Sequence, residues 1–207
     1  MVITSDSEYM RLALAAARQA ASRGDIPVGA VIVSAGQVIA TGGNDREERQ
    51  TPLGHAEIIA IQLAAQHLGS WRLDNAELYV TLEPCIMCAG AILQARISRL
   101  IFACRDPKAG AIESLYRLCE DQRLNHQLPV TAGILADESA ALLSDFFGRL
   151  RIQKRGIRNC DSAAQNPKRS GHPSASNPSM RRACRAAQGL RRSLLALSCG
   201  RIWREIS

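Results

Sequence analysis

The spacing of hydrophobic and polar residues predicts short helices and strands that alternate along the chain. Residues 7–23 are Ala-rich with an apolar stripe at helical spacing, and Gly24 follows them. Residues 27–33 and 37–41 are apolar runs on either side of a Ser-Ala-Gly turn, which is typical of a β-hairpin. After a polar loop at 42–54, the same patterns predict helix 55–68, strand 77–81, helix 84–96, strand 99–103, helix 111–120, strand 130–132 and helix 136–154.

This alternation of elements predicts the fold class. Strands separated by helices favour a mostly parallel or mixed sheet with helices on both faces. The hairpin and the three later strands give a central sheet of about five strands. We therefore expect an α/β protein with three layers, α-β-α.

The last quarter of the chain differs in composition and charge. Residues 1–151 carry 14 Lys and Arg against 17 Asp and Glu, whereas residues 152–207 carry 12 against 2, which gives net charges of −3 and +10. Residues 160–180 are rich in Ser, Asn, Pro and Ala, as in disordered linkers. We expect a folded domain at 1–156 and a basic extension at 157–207, which either is disordered or adds nonspecific RNA affinity.

Targeting and redox features favour the cytoplasm. No apolar run approaches the roughly 20 residues of a membrane span. The first ten residues, MVITSDSEYM, have neither the basic start nor the apolar core of a signal peptide. Seven cysteines are an odd number without the framework of a disulfide-rich domain, so we expect a reducing compartment.

Two of these cysteines lie three residues apart, in the segment LEPCIMCAG. At the start of a predicted helix, Cys85 and Cys88 face the same way, and the helix dipole favours their thiolates. The pair alone leaves three possibilities open: a metal site, a redox pair or simple packing.

A histidine and a glutamate upstream favour the metal site over a redox pair or simple packing. His55 begins another predicted helix, and imidazole plus two thiolates is a donor set that zinc prefers. Three protein ligands indicate a catalytic zinc, which keeps a position for water, whereas a structural zinc takes four. Glu57 lies two residues after His55 and is predicted to be the proton shuttle, since H-x-E followed by P-C-x-x-C is typical of zinc nucleobase deaminases.

Longer motifs resemble one deaminase family. They are PVGAV at 27–31, Asn44, HAEIIAI at 55–61, LYVTLEPCIMCAGAI at 78–92, RDPKAG at 105–110, LNH at 124–126 and GILADESAALLSDFF at 133–147. Together they resemble the bacterial tRNA-specific adenosine deaminases over roughly residues 5–155. Two positions depart from the family pattern, Leu53 before the histidine and Glu113 after the RDPKAG stretch.

The resemblance implies a cytidine deaminase-like fold and a homodimer with one zinc ion per subunit. It implies hydrolysis of adenosine to inosine at the wobble position of a tRNA anticodon, most plausibly in an arginine tRNA, with the adenosine extruded from the anticodon loop. By position, Asn44 is expected to hydrogen-bond the nucleoside, and Pro27, Val28 and the backbone near Glu83 and Pro84 to line the base pocket. Contacts to flanking nucleotides or the pocket wall are expected from Asp106, Lys108, Asn125, His126, Phe146 and Phe147.

Two rival functions remain open at the level of sequence. One is a zinc deaminase of a free base or nucleotide, such as guanine, cytosine or a pyrimidine nucleotide, because the HAE and PCxxC motifs are shared with those enzymes. The other is a structural zinc module that binds RNA, which requires a fourth protein ligand, Cys104 or Cys119.

Overall fold

The computed structural model describes residues 5–165 and shows eleven elements in that range. The helices are α1 (Asp6–Ser22), α2 (Arg46–Arg49), α3 (Ala56–Leu68), α4 (Ile86–Gln94) and α5 (Ala136–Gln165), with a 3₁₀ turn at Leu118–Glu120. The strands are β1 (Gly29–Ser34), β2 (Gln37–Gly43), β3 (Ala76–Leu82), β4 (Arg99–Cys104) and β5 (Val130–Ala132). None of the helices in this range combines the length and apolar character needed to cross a bilayer.

The five strands form one mixed sheet in the order β2-β1-β3-β4-β5. β1 runs antiparallel to both β2 and β3, whereas β3, β4 and β5 run parallel. The predicted hairpin is the β1–β2 pair. The predicted mixed sheet is thereby confirmed.

Helices cover both faces of the sheet because side chains alternate along its strands. On one face, Tyr9 and Met10 of α1 pack against Val31 and Val33 of β1. On the other face, alanines of α3 and the apolar side of α4 pack against β1, β3 and β4 around Ile32. The α/β class with three layers is confirmed, and α3 and α4 lie together on one face.

Two glycines allow helix backbones to touch the sheet. A side chain on Gly29 in β1 would collide with the backbone of α1 at Ala13 and Ala17. A side chain on Gly42 in β2 would collide with the first turns of α3, at the carbonyl of Ala56 and the amide of Ala60. The start of α3 is therefore held against β2 by direct backbone contact.

Two local predictions are wrong. Residues 111–120 were expected to be a helix, but they form turns followed by the short 3₁₀ segment. Three consecutive backbone N–H groups there donate to the side chain of Glu83. The loop at 42–54 contains α2, whose first N–H groups donate to the carboxylate of Asp25. In both cases a carboxylate distant in sequence is the acceptor.

Two helix boundaries also differ from the predictions. α4 begins at Ile86 instead of at residue 84, because Cys85 keeps an extended backbone. α5 continues to Gln165, past the expected end at 154 and into the segment expected to be linker. The first compact unit of the chain ends at Phe146, within α5. The rest of the expected basic extension, from residue 166, lies outside the described residues.

Candidate active site

Three side chains able to bind a metal meet where α3 and α4 begin. His55 directly precedes α3, Cys85 directly precedes α4, and Cys88 lies in the first turn of α4. Nδ1 of His55 lies 3.8 Å from Sγ of Cys85 and 3.5 Å from Sγ of Cys88. The three donor atoms all lie within 4.8 Å of one another. The structure therefore brings the three predicted ligands together.

The fold explains this convergence. Only residues 83–85 separate the end of β3 from α4, so Cys85 and Cys88 follow directly from a central strand. α3 packs on the same face as α4, and its first turns are fixed by contact with Gly42. The starts of two helices that are 30 residues apart in sequence thus lie side by side.

The donor set matches zinc. The hydrogen bond from the Cys88 thiol, followed by the one from His55, lowers the pKa of Cys85 to about 4. Donation to Cys85, together with burial, raises the pKa of Cys88. Cys85 is therefore a thiolate at neutral pH, which is the form that binds metal. One imidazole nitrogen and two sulfurs form a set typical of a catalytic zinc site.

Glu57 lies beside the three donors, in the first turn of α3. It is buried, with 4% of the residue exposed. Burial raises the pKa of Glu57, and the nearby charge of His55 opposes that rise. A carboxyl group whose pKa is shifted toward neutral is suited to take up and release protons.

The other described cysteines lie outside this group. Cys104 donates its thiol hydrogen to the carbonyl of Thr81, at 3.4 Å. Cys119 is buried among apolar residues. Among the side chains that the structure describes, the metal-binding group consists of His55, Cys85 and Cys88. Three protein donors are the number that a catalytic zinc site uses.

Asn44, expected to bind the nucleoside, is held by a buried carboxylate. Its side-chain amide donates to Oδ1 of Asp25 at 2.9 Å, and Asp25 has no exposed surface. The backbone N–H of Asn44 donates to the carbonyl of Val28 at 3.0 Å. Val28 and Pro27 are themselves buried. The three residues predicted to contact the nucleoside thus form one connected group where β1 begins and β2 ends.

The residues predicted to contact flanking nucleotides are spread more widely. Asp106 lies in the loop after β4 and is partly buried. The backbone carbonyl of Asn125 accepts from Arg96, and the Nε2–H of His126 donates to the carbonyl of Ile97. These two residues therefore lie near the C-terminal end of α4, away from Cys85 at its start. Phe146 is buried, and Phe147 is partly exposed.

The two departures from the family pattern are both accommodated locally. Leu53 is one of the exposed large hydrophobic residues. The carboxylate of Glu113 accepts two hydrogen bonds from Arg105, the shorter at 2.6 Å, across the ends of the loop 105–114. Neither departure displaces a metal donor.

Known proteins are similar to this chain in sequence and in fold. Residues 4–151 match the MafB19-like deaminase family. A tRNA-specific adenosine deaminase of Bacillus subtilis (strain 168) is 44% identical over 156 residues, which cover 75% of this chain and 97% of that protein. The chain belongs to the tRNA-specific adenosine deaminase family.

Solved structures agree with membership of this deaminase family. One, from a study of A-to-I editing by tRNA:A34 deaminases at the wobble position of transfer RNA, is 47% identical with a TM-score of 0.64. That match covers 66% of this chain and 99% of the solved chain. A guanine deaminase from Nitrosomonas europaea has a TM-score of 0.59 at 24% identity, covering 70% of this chain and 86% of its own, and shows the shared fold alone.

Two buried carboxylates in this family member, those of Asp25 and Glu83, were not predicted from the sequence as parts of the site. Although burial opposes ionisation, hydrogen bonds from Ser114 and from backbone N–H groups lower the pKa of Glu83. Each carboxylate adjoins an apolar strand and directly precedes a segment of the site. Buried polar groups are nearly always hydrogen-bonded, and each of these carboxylates accepts backbone N–H groups.

Replacing Asp25 tests how much the group formed by Val28 and Asn44 depends on its carboxylate. Asp25→Ala leaves the amide of Asn44 and the N–H groups of Glu47 and Glu48 without their acceptor. We expect the free energy of unfolding to fall by about 3 kcal/mol, because unpaired buried polar groups are costly. Urea unfolding at one fixed protein concentration measures this change.

The matched control is Asp74→Ala, which removes an exposed carboxylate paired with Arg72. It should leave the unfolding midpoint nearly unchanged, since exposed ion pairs contribute little. Equal midpoints for the two variants would contradict the role assigned to Asp25.

Proposed function

We propose that this protein converts adenosine to inosine at the wobble position of a tRNA anticodon, with an arginine tRNA as its substrate. The observation that carries the proposal is the buried Glu57 carboxyl beside His55, Cys85 and Cys88. Family membership supports the substrate class, because the curated relative is named as tRNA-specific and this chain spans 97% of its length.

We propose zinc as the metal, one ion per subunit, held by Nδ1 of His55 and the sulfurs of Cys85 and Cys88. The donor types and their mutual distances fit zinc, as described above. When bound there, zinc would supply Lewis-acid activation of a water molecule.

Glu57 transfers the protons of the reaction. Water adds to the amine-bearing carbon of the adenine ring, and ammonia leaves it. The Glu57 carboxylate takes a proton from the attacking water and gives it to the adjacent ring nitrogen. It then takes the proton of the newly added hydroxyl group and gives it to the departing amine, so that a carbonyl forms and ammonia leaves. Its burial suits this cycle, because a carboxyl that is neither strongly acidic nor solvated exchanges protons readily.

The group formed by Pro27, Val28 and Asn44 is the proposed nucleoside pocket. Asp25 fixes the direction of the Asn44 amide, so this side chain is already oriented before substrate arrives. Asp106, Lys108, Asn125, His126, Phe146 and Phe147 are proposed to contact flanking nucleotides or the pocket wall. Because Asn125 and His126 lie by the far end of α4, the RNA must extend along the protein beyond the metal donors to reach them.

Other parts of the proposal rest on the family resemblance and on the composition of the sequence. We propose that the active protein is a homodimer, that it works in the cytoplasm, and that the deaminase domain spans residues 1–156. The basic segment 157–207 is an addition to that domain.

The substrate is tested with a synthetic arginine tRNA anticodon stem-loop carrying adenosine at the wobble position. We expect inosine at that position alone, measured by mass spectrometry of the digested nucleosides. A matched stem-loop with guanosine at the wobble position and adenosines elsewhere should give no inosine. Free adenosine, guanine and cytidine are assayed in parallel.

Two results would contradict the proposal. Turnover of free guanine or cytidine with the RNA untouched would favour the deaminase of a free base or nucleotide. RNA binding without any release of ammonia would favour a binding module instead of an enzyme.

A further inference from the structure

Donors from a single loop converge on the side chain of Glu83. Its Oε1 accepts from the backbone N–H groups of Ile112, Glu113 and Ser114, at 3.1, 2.7 and 2.9 Å. Its Oε2 accepts from the N–H of Asp106 at 3.0 Å and from the hydroxyl of Ser114. Only 2% of the residue is exposed. One buried carboxylate thus accepts hydrogen bonds from four backbone N–H groups and one hydroxyl group.

The loop that provides these donors is folded closely around the carboxylate. A side chain on Gly110 would collide with the Glu83 carboxyl group, so only glycine fits at this position. Residues 105–117 contain neither helix nor strand, apart from one isolated bridge. The Glu83 carboxylate therefore takes the place of the backbone acceptors that a regular element would offer.

The same loop is bonded to the segment that carries a metal donor. The N–H of Ala111 donates to the carbonyl of Pro84 at 2.8 Å. Gly110 forms an isolated antiparallel bridge with Cys85. Glu83 thus lies between the end of β3, which leads to the metal donors, and a loop that carries Asp106.

We propose that Glu83 is a positioning residue, which holds the loop 105–114 at a fixed distance from the metal donors and so presents Asp106 to the anticodon loop. This inference rests on the proposed function for the identity of the RNA. A glutamine cannot replace the glutamate, because its NH₂ group would face donors and it lacks the charge that strengthens these hydrogen bonds.

The test compares Glu83→Gln with the wild-type protein in three measurements. Loss of one charge-assisted hydrogen bond corresponds to about a tenfold change, so backbone amides of the loop should exchange with deuterium about tenfold faster or more. The KM for the anticodon stem-loop should rise by about the same factor, while kcat changes less than about threefold. The zinc bound per chain should stay unchanged.

Glu120→Gln is the matched control, since it makes the same substitution at an exposed glutamate that pairs with Arg117. It should leave exchange, KM and zinc content as in the wild type. Wild-type exchange and KM in Glu83→Gln would overturn the proposal. Loss of zinc in Glu83→Gln would also overturn it, by showing that Glu83 supports the metal donors.

A second variant covers the case in which Glu83→Gln does not fold. Ser114→Ala keeps the carboxylate and removes only the hydroxyl donor. It should change exchange and KM in the same direction by a smaller factor, and no change in either would overturn the inference.

The two proposals fail in different ways. If the wild-type protein forms no inosine in the stem-loop, the proposed function is wrong. In that case the Kd of a fluorescently labelled stem-loop replaces KM in the same comparison of variants. Equal exchange and equal Kd for Glu83→Gln and wild type would refute the positioning role alone.

Discussion

Glu57→Gln should lower the rate of anticodon deamination by about 10²- to 10⁴-fold, the range typical of a lost general acid or base. Glutamine keeps the size and polarity of the buried side chain but cannot accept and return a proton. The metal donors are untouched, so zinc content should equal that of the wild type. Single-turnover formation of inosine measures the rate, and elemental analysis measures the metal.

Glu138→Gln is the control for this substitution. Glu138 lies on α5 with half of its side chain exposed, in a long ion pair of 3.8 Å with Arg18. Its rate should match the wild type. A near-normal rate in Glu57→Gln would refute the proton shuttle, and a large loss of zinc would mean that Glu57 supports the metal instead.

Cys88→Ala should abolish both zinc binding and deamination. Cys88 is fully buried, and its sulfur lies 3.5 Å from the imidazole nitrogen of His55. Two donors remain in the variant, which is one fewer than known catalytic zinc sites use. Zinc per chain is measured after dialysis against a chelator, and activity is measured on the anticodon stem-loop with and without added zinc.

Cys119→Ala is the matched variant, because Cys119 is also a buried cysteine. It removes one buried sulfur and should cost about 1 kcal/mol of stability, the order expected for removing one buried methyl-sized group. It should keep zinc and activity. Loss of zinc from Cys119→Ala as well would revive the structural site with four protein ligands and would contradict a catalytic one.

The sequence was sufficient where the decisive information is local. Apolar spacing predicts the β1–β2 hairpin, the later strands and helices α1 and α3, because the apolar residues of each element lie on the face that it buries. His55, Cys85 and Cys88 could be identified because donor type and spacing reflect what a zinc ion accepts. Their meeting within 4.8 Å follows from the mixed sheet that the same spacing predicts.

The sequence was insufficient where a distant side chain decides the conformation. Residues 111–120 have helical spacing, but the N–H groups of Ile112 and Glu113 donate to the Glu83 carboxylate and the chain forms turns there. Asp25 likewise accepts N–H groups of α2, where a helix does form. The local pattern of a single sequence does not indicate which carboxylate will accept these N–H groups, because donor and acceptor are separated by some 20 to 30 residues.

The contact between Gly42 and α3 limits how this site can be reshaped. With only hydrogen on that residue, the backbone of the edge strand lies directly against the helix that follows His55. Substituting smaller or larger side chains along this contact between β2 and α3 therefore does not enlarge the site for a bulkier nucleobase. Space for a larger base has to come from the irregular loop 105–114 around the Glu83 carboxylate. That loop can be rebuilt without moving the imidazole of His55.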